Sequence, residues 1–95
     1  MRVEQGVAYP EGLLTLAEAS DQLKAGQSAI AEGASEFDLA GVGQVDSSAL
    51  SLLLAWRRQA EAEGRSLCFR NLPESMRSLA ELYGVDDLVF SCVPG

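Results

Sequence analysis

The stretch from residue 36 to 64 constrains this chain more than any other. Glu36-Phe37-Asp38-Leu39-Ala40 reads as a strand and Gly41-Val42-Gly43-Gln44-Val45 as a glycine-marked turn. Asp46 then precedes the run Ser47-Ser48-Ala49-Leu50-Ser51-Leu52-Leu53-Leu54-Ala55-Trp56, and Gly64 closes the helix that this run begins. A strand feeding into a capped helix is half of a βαβ unit, which predicts a sheet with helices packed against it.

Asp46, Ser47 and Ser48 crowd the mouth of that helix. An Asp or Ser at an N-cap satisfies a backbone N–H that the helix itself leaves without a partner. One side chain is enough for that task. The polar line nevertheless continues through Ser48 to Ser51 on the helix body, where serine is a mediocre helix former. On a wheel of about 100° per residue, Leu50, Leu54, Leu53, Ala49, Ala60, Trp56 and Leu52 fill an arc of roughly 200° and form the buried side. Ser47, Arg58, Ser51, Ala62, Ala55, Ser48 and Gln59 fill the rest. A solvated face usually carries long charged side chains. A face of small ones lets another surface approach closely, so Asp46, Ser47, Ser48, Ser51, Ala55 and Arg58 are the candidate partner-binding residues.

The remaining chain supplies more of the same architecture. Residues 2–9 alternate weakly and read as a single edge strand, followed by a turn at Pro10-Glu11-Gly12. Thr15-Leu16-Ala17-Glu18 has the form of a capping box and opens a helix over residues 16–31, ended by Gly33. Residues 65–70, with Leu67 and Phe69, form the strand after the main helix. Strand, helix and strand joined by short links predict parallel pairing. Pro73 opens a third helix over residues 73–83, whose Met76, Leu79, Ala80 and Tyr83 make a core stripe closed by Gly84. Residues 85–90 read as a short strand or packed coil. The whole is expected to be one α/β domain over residues 1–95, a mixed sheet of about four strands with three or four helices.

Several chemistries are excluded. The chain has no histidine, which removes Ser-His-Asp and Cys-His catalysis and the commonest metal ligand. Its single lysine, Lys24, is not part of a phosphate-binding Gly-x-x-x-x-Gly-Lys loop. Gly41 and Gly43 follow a strand as in a dinucleotide fingerprint, but Asp46 holds the third glycine position, where a carboxylate repels pyrophosphate. No enzyme constellation, metal site or cofactor is expected. Cys68 and Cys92 are too few for a disulfide framework or a zinc site, and Cys68 reads as a small core residue.

The net charge of -7 disfavours nucleic acid and anionic lipid as partners. Residues 1–56 hold only Arg2 and Lys24 against eight acids, whereas residues 57–95 hold five arginines against six. That imbalance suits a protein partner with a basic patch, and it suits plain solubility equally. No charged n-region with an apolar h-region stands at the start, and the longest apolar run, residues 52–56, falls far short of the about 20 residues a span needs. The expectation is a cytoplasmic chain without direct membrane insertion.

Asp46-Ser47-Ser48-Ala49-Leu50, between a short strand and a leucine-rich helix, resembles the signature of STAS domains. The resemblance takes in Phe37-Asp38-Leu39-Ala40-Gly41-Val42, Phe69-Arg70-Asn71-Leu72-Pro73 and Leu79-Ala80-Glu81-Leu82-Tyr83-Gly84-Val85, from residue 36 to 88. Its Leu-Tyr-Gly-Val ending is most similar to the MlaB-like branch. That branch implies a cytosolic, non-catalytic subunit that docks on an MlaF-like ATPase of a phospholipid-transporting ABC complex in the inner membrane and helps maintain outer-membrane lipid asymmetry. Ser47 then falls where such proteins carry a hydroxyl residue important for the contact. The alternative within the family is an anti-sigma-factor antagonist, whose partner is a serine kinase that binds a sigma factor. Ser48 matches the serine phosphorylated there, but Ala49 stands where those proteins have glycine. The family also implies two strands before the first helix, where the residues leave room for little more than one.

Overall fold

Gln5 and Gly6 both adopt positive φ, 50° and 79°, and fold the first nine residues back on themselves. In the computed structural model, which describes residues 1–85, they join β1 (Arg2–Glu4) to β2 (Val7–Tyr9) as an antiparallel hairpin with Arg2 opposite Tyr9 and Glu4 opposite Val7. Two positive-φ residues in a two-residue turn match the right-handed twist of paired strands. The expected single edge strand is therefore two strands. Gln-Gly is a weaker hairpin signal than Asn-Gly, and three-residue strands are too short to show alternation.

Ala8 of β2 stands beside Phe37 of β4 (Glu36–Asp38), and Phe37 beside Phe69 of β6 (Cys68–Arg70). The sheet runs β1-β2-β4-β6, with the last two pairings parallel as the strand–helix–strand order requires. Ala8, Phe37 and Phe69 are buried together. Their neighbours point the other way by the two-residue period of a strand. There Arg70 pairs with Glu36 at 2.9 Å, and Asn71 Nδ2 donates to Asp38 at 3.1 Å.

Of residues 41–45, only Gly41 lies in a turn, which the Val42 N–H closes on the Leu39 carbonyl. Val42–Val45 is a strand, β5, parallel to β3 (Gly12–Leu14), and the two make a separate small sheet with a register shift between Gly12 and Leu14. Gly12, expected in the turn, begins β3 with φ of 80°.

The first helix is compound: a 3-10 turn at Leu16–Glu18 leads into α1 (Ala19–Ala31). Helix α2 (Ser47–Ala62) ends before Gly64, and α3 (Glu74–Leu82) starts one residue after Pro73, which holds the N-cap position rather than the first helical one. Helix α2 buries Ala49, Leu50, Leu52, Leu53, Trp56 and Ala60, while Leu54 is half-buried. Trp56 is the centre of the core. Its ring lies 4.7 Å from that of Phe37, and its Nε1 donates to the Leu23 carbonyl of α1 at 3.2 Å. In α3, Met76 and Ala80 are buried and Leu79 packs on the core, but Tyr83 is 58% exposed and leaves the expected stripe. Cys68 is half-buried, not one of the fully buried core residues it was expected to join. The expectation for residues 85–90 lies, beyond Val85, outside the described residues. Among those described, no helix is long and apolar enough to cross a membrane.

Candidate docking face

The parallel strands β3 and β5 each run straight into a helical start, so two helix N-termini stand side by side. Each exposes backbone N–H groups that its own helix cannot satisfy. One side chain serves both. Asp46 Oδ1 accepts the Ser48 N–H at 2.8 Å and Oδ2 accepts the Leu16 N–H at 3.0 Å. The Asp46 N–H reaches the Leu14 carbonyl at 3.4 Å. The expected Thr15–Glu18 capping box does not form. Thr15 occupies the N-cap position, but its side chain makes no capping bond, and the only link is from the Glu18 N–H to the Thr15 carbonyl. The Leu16 N–H holds the Asp46 carboxyl below its ordinary 3.8, aided by Ser48 and opposed by burial.

With Asp46 as the cap, the serines are released from that task. Ser47 and Ser51 are exposed, and Ser48 and Ala55 are half-buried on the same side of α2. Arg58 is exposed further along the helix. Two shallow grooves meet on this face. One, of about 350 Å³, runs between Ser47, Ser51 and Leu54 of α2 and Tyr83 and Val85 after α3. The other, of about 470 Å³, runs between Ser51 and Ala55 of α2 and Leu16 and Leu23 on the α1 side. Ser48 and Ser51 line both, so they form a low ridge between two apolar walls. Arg58 lines neither groove.

The walls were not legible as site residues. Tyr83 reads from its spacing as part of a core stripe, and Leu16, 76% exposed, only as the residue after a cap. Each sits in a terminal turn, where a helical stripe runs off the end of the core. An apolar residue beside a helix boundary is the signal that marks them. Gly41 and Gly43 flank the start of β5 and do not open a helix, so the dinucleotide context is not met. Among the described residues, no cluster of three Cys, Asp or Glu could hold a metal ion.

A family profile described as "Mlab, STAS domain" matches residues 11–90. Among solved structures, the unphosphorylated anti-sigma factor antagonist SpoIIAA is similar at a TM-score of 0.61 and 22% identity, over 86% of this chain and 79% of that one. A sulfate transporter family protein from Wolinella succinogenes is similar at a TM-score of 0.61 and 22% identity, over 98% of this chain and 83% of that one. No curated protein matches the chain by sequence. The fold, a mixed four-stranded sheet whose central strand β4 connects through β5 and the capped helix α2 to β6, is that of a STAS domain. The chain belongs to the STAS domain family and within it is most like MlaB.

Proposed function

We propose that this chain is a non-catalytic subunit that docks on the ATPase of an inner-membrane ABC transporter moving phospholipids. It supports assembly and activity of that ATPase, and so outer-membrane lipid asymmetry, from a cytoplasmic position peripheral to the membrane through its partner. The observation that carries the reading is the serine ridge between the Leu16 and Tyr83 walls. Small side chains at the centre allow close approach, and exposed apolar side chains at the flanks supply the burial that drives association. The net charge of -7 suits a partner with a basic patch.

A second reading, an anti-sigma-factor antagonist switched at Ser48, draws on the Asp46-Ser47-Ser48 order. Against it, Ser48 is half-buried rather than exposed. Ala49, in the position of the usual glycine, is fully buried.

Tagged chain recovered from detergent-solubilised membranes should bring down an ABC ATPase subunit in stoichiometric amount, identified by mass spectrometry. Ser51→Arg should fold normally and lose it, because a bulky charge would be buried without a partner. Recovery of a serine kinase instead would establish the second reading. Normal ATPase binding by folded Ser51→Arg protein would refute the docking face.

A further inference from the structure

We infer that Asp46 is a positioning residue for the docking face: one carboxylate, accepting the N–H groups of Leu16 and Ser48, sets the start of the first helix against the start of α2 and so shapes the groove between Leu16 and Ser51. The inference rests on the docking function proposed above.

The Asp46 N–H also holds the Leu14 carbonyl, but at Leu16 itself the other supports are weak. Leu14, two residues earlier, is anchored by complete burial, whereas the Leu16 side chain is largely exposed and adds almost no burial of its own. The local helix is only a 3-10 turn without a side-chain cap from Thr15, a poorer hydrogen-bonding geometry than an α-helix. The strand pairing that precedes it shifts register before Leu14. Gln22 Nε2 secures the strand lower down, at the Glu11 and Leu13 carbonyls, and not at Leu16. Among the described residues, the long-range hydrogen bond at Leu16 is to the Asp46 carboxylate, 30 residues away in sequence.

The chemistry also explains why this N-cap is an Asp. Serine caps a helix about as well as aspartate, but its single short oxygen cannot span to a second helix. Asparagine offers one acceptor oxygen in place of two. Only a carboxylate accepts from two N–H groups on opposite sides.

The test compares Asp46→Ser, Asp46→Asn, Leu16→Ser and Ser51→Arg in the full chain. It reads amide hydrogen exchange at Leu16 and affinity for the co-purified ATPase subunit. Asp46→Ser should keep the far-UV spectrum and α2 protection, because the cap survives. Its Leu16 amide should exchange roughly tenfold faster, as loss of one charge-assisted bond implies, with a similar loss of affinity. Leu16→Ser should keep its amide protection yet bind more weakly. Should Asp46→Ser fail to fold, Asp46→Asn carries the same comparison with one oxygen retained. Wild-type Leu16 exchange in both Asp46 variants, or wild-type affinity despite fast exchange, would overturn the inference. Normal binding by Ser51→Arg would overturn instead the docking reading beneath it.

Discussion

The indole of Trp56 stands where a side chain on Gly26 would have to be. A Cβ built on Gly26 would lie 2.1 Å from Trp56 Nε1 and 2.2 Å from Cε2. Both residues are buried, and the Trp56 Nε1 bond to the Leu23 carbonyl fixes the ring against α1. In an exposed helix interior, Gly→Ala would stabilise by about 1 kcal/mol through helix propensity. Here the sign reverses. Gly26→Ala is expected to cost about 1–3 kcal/mol through overpacking. A thermal melt at or above the wild-type temperature would show that the two helices are not in this contact.

Leu53 and Leu54 are adjacent but unequal. Leu53 is completely buried, whereas Leu54 is half-buried and lines a groove. Leu53→Ala should cost about 2–5 kcal/mol, as core truncations do. Leu54→Ala should cost less than half as much in the same urea titration. Equal losses would place the α2 face differently on the sheet.

Ser47→Ala separates capping from recognition. Asp46 supplies the α2 cap and Ser47 is exposed at the first helical position. The substitution should change stability by no more than about 0.5 kcal/mol, while weakening the partner complex if the hydroxyl bonds across the interface. A melt lowered by many degrees would assign the capping role to Ser47 after all.

Asp46 and Asp38 predict the acid limb of stability. Asp46 is held below 3.8 chiefly by the Leu16 N–H, and Asp38 chiefly by the Ala40 N–H and then by Asn71. A carboxyl depressed on folding contributes stability that is complete above the unfolded value and is lost as pH falls through the folded one. The stability gap between wild type and Asp46→Ser should therefore be full at neutral pH and shrink as the pH drops below about 4. Denaturant titrations at pH 7 and pH 3 read it directly, and a gap that widens in acid would contradict the two-bond carboxylate.

The hairpin turn offers a stabilising change. Gln5 carries φ of 50° ahead of Gly6 at 79°, the geometry that Asn-Gly fills best. Gln5→Asn should raise the melting temperature by one or two degrees, on the order of a few tenths of a kcal/mol. No change would mean that the hairpin contributes little to the cooperative unit.

What could be read from the residues follows from length of signal. Helix α2 carries sixteen residues of periodic pattern with an acid at its start and a glycine after its end, and the expected and observed spans differ by one residue. The strands carry three or four residues each, too few for a two-residue period to declare itself. So the β1–β2 hairpin reads as one strand, the start of β3 at Gly12 as the end of a turn, and β5 as a turn. The candidate site was half legible. Asp46 and the serines were visible because polar residues interrupted an apolar run. Tyr83 is hidden because an apolar residue at helical spacing looks like core until the helix is placed, and Leu16 because it reads only as the residue after a cap. The Asp46–Leu16 bond joins residues with no local pattern in common, and short-range capping rules assigned that task to Thr15.

The central strand β4 meets β2 on one side and β6 on the other, and each pairing closes a loop of about thirty residues, so the entropic cost of the two closures is nearly equal. Chain length gives neither half a head start in folding, and the choice passes to the helices. Helix α2 is longer and capped by a side chain, and it presents a run of leucines. Helix α1 is shorter, uncapped by a side chain and interrupted by Gly26. The β4–α2–β6 half should therefore form the folding nucleus, with the N-terminal hairpin and α1 docking onto it afterwards. In kinetic terms, Leu53→Ala should mainly slow folding, and Gly26→Ala should mainly speed unfolding.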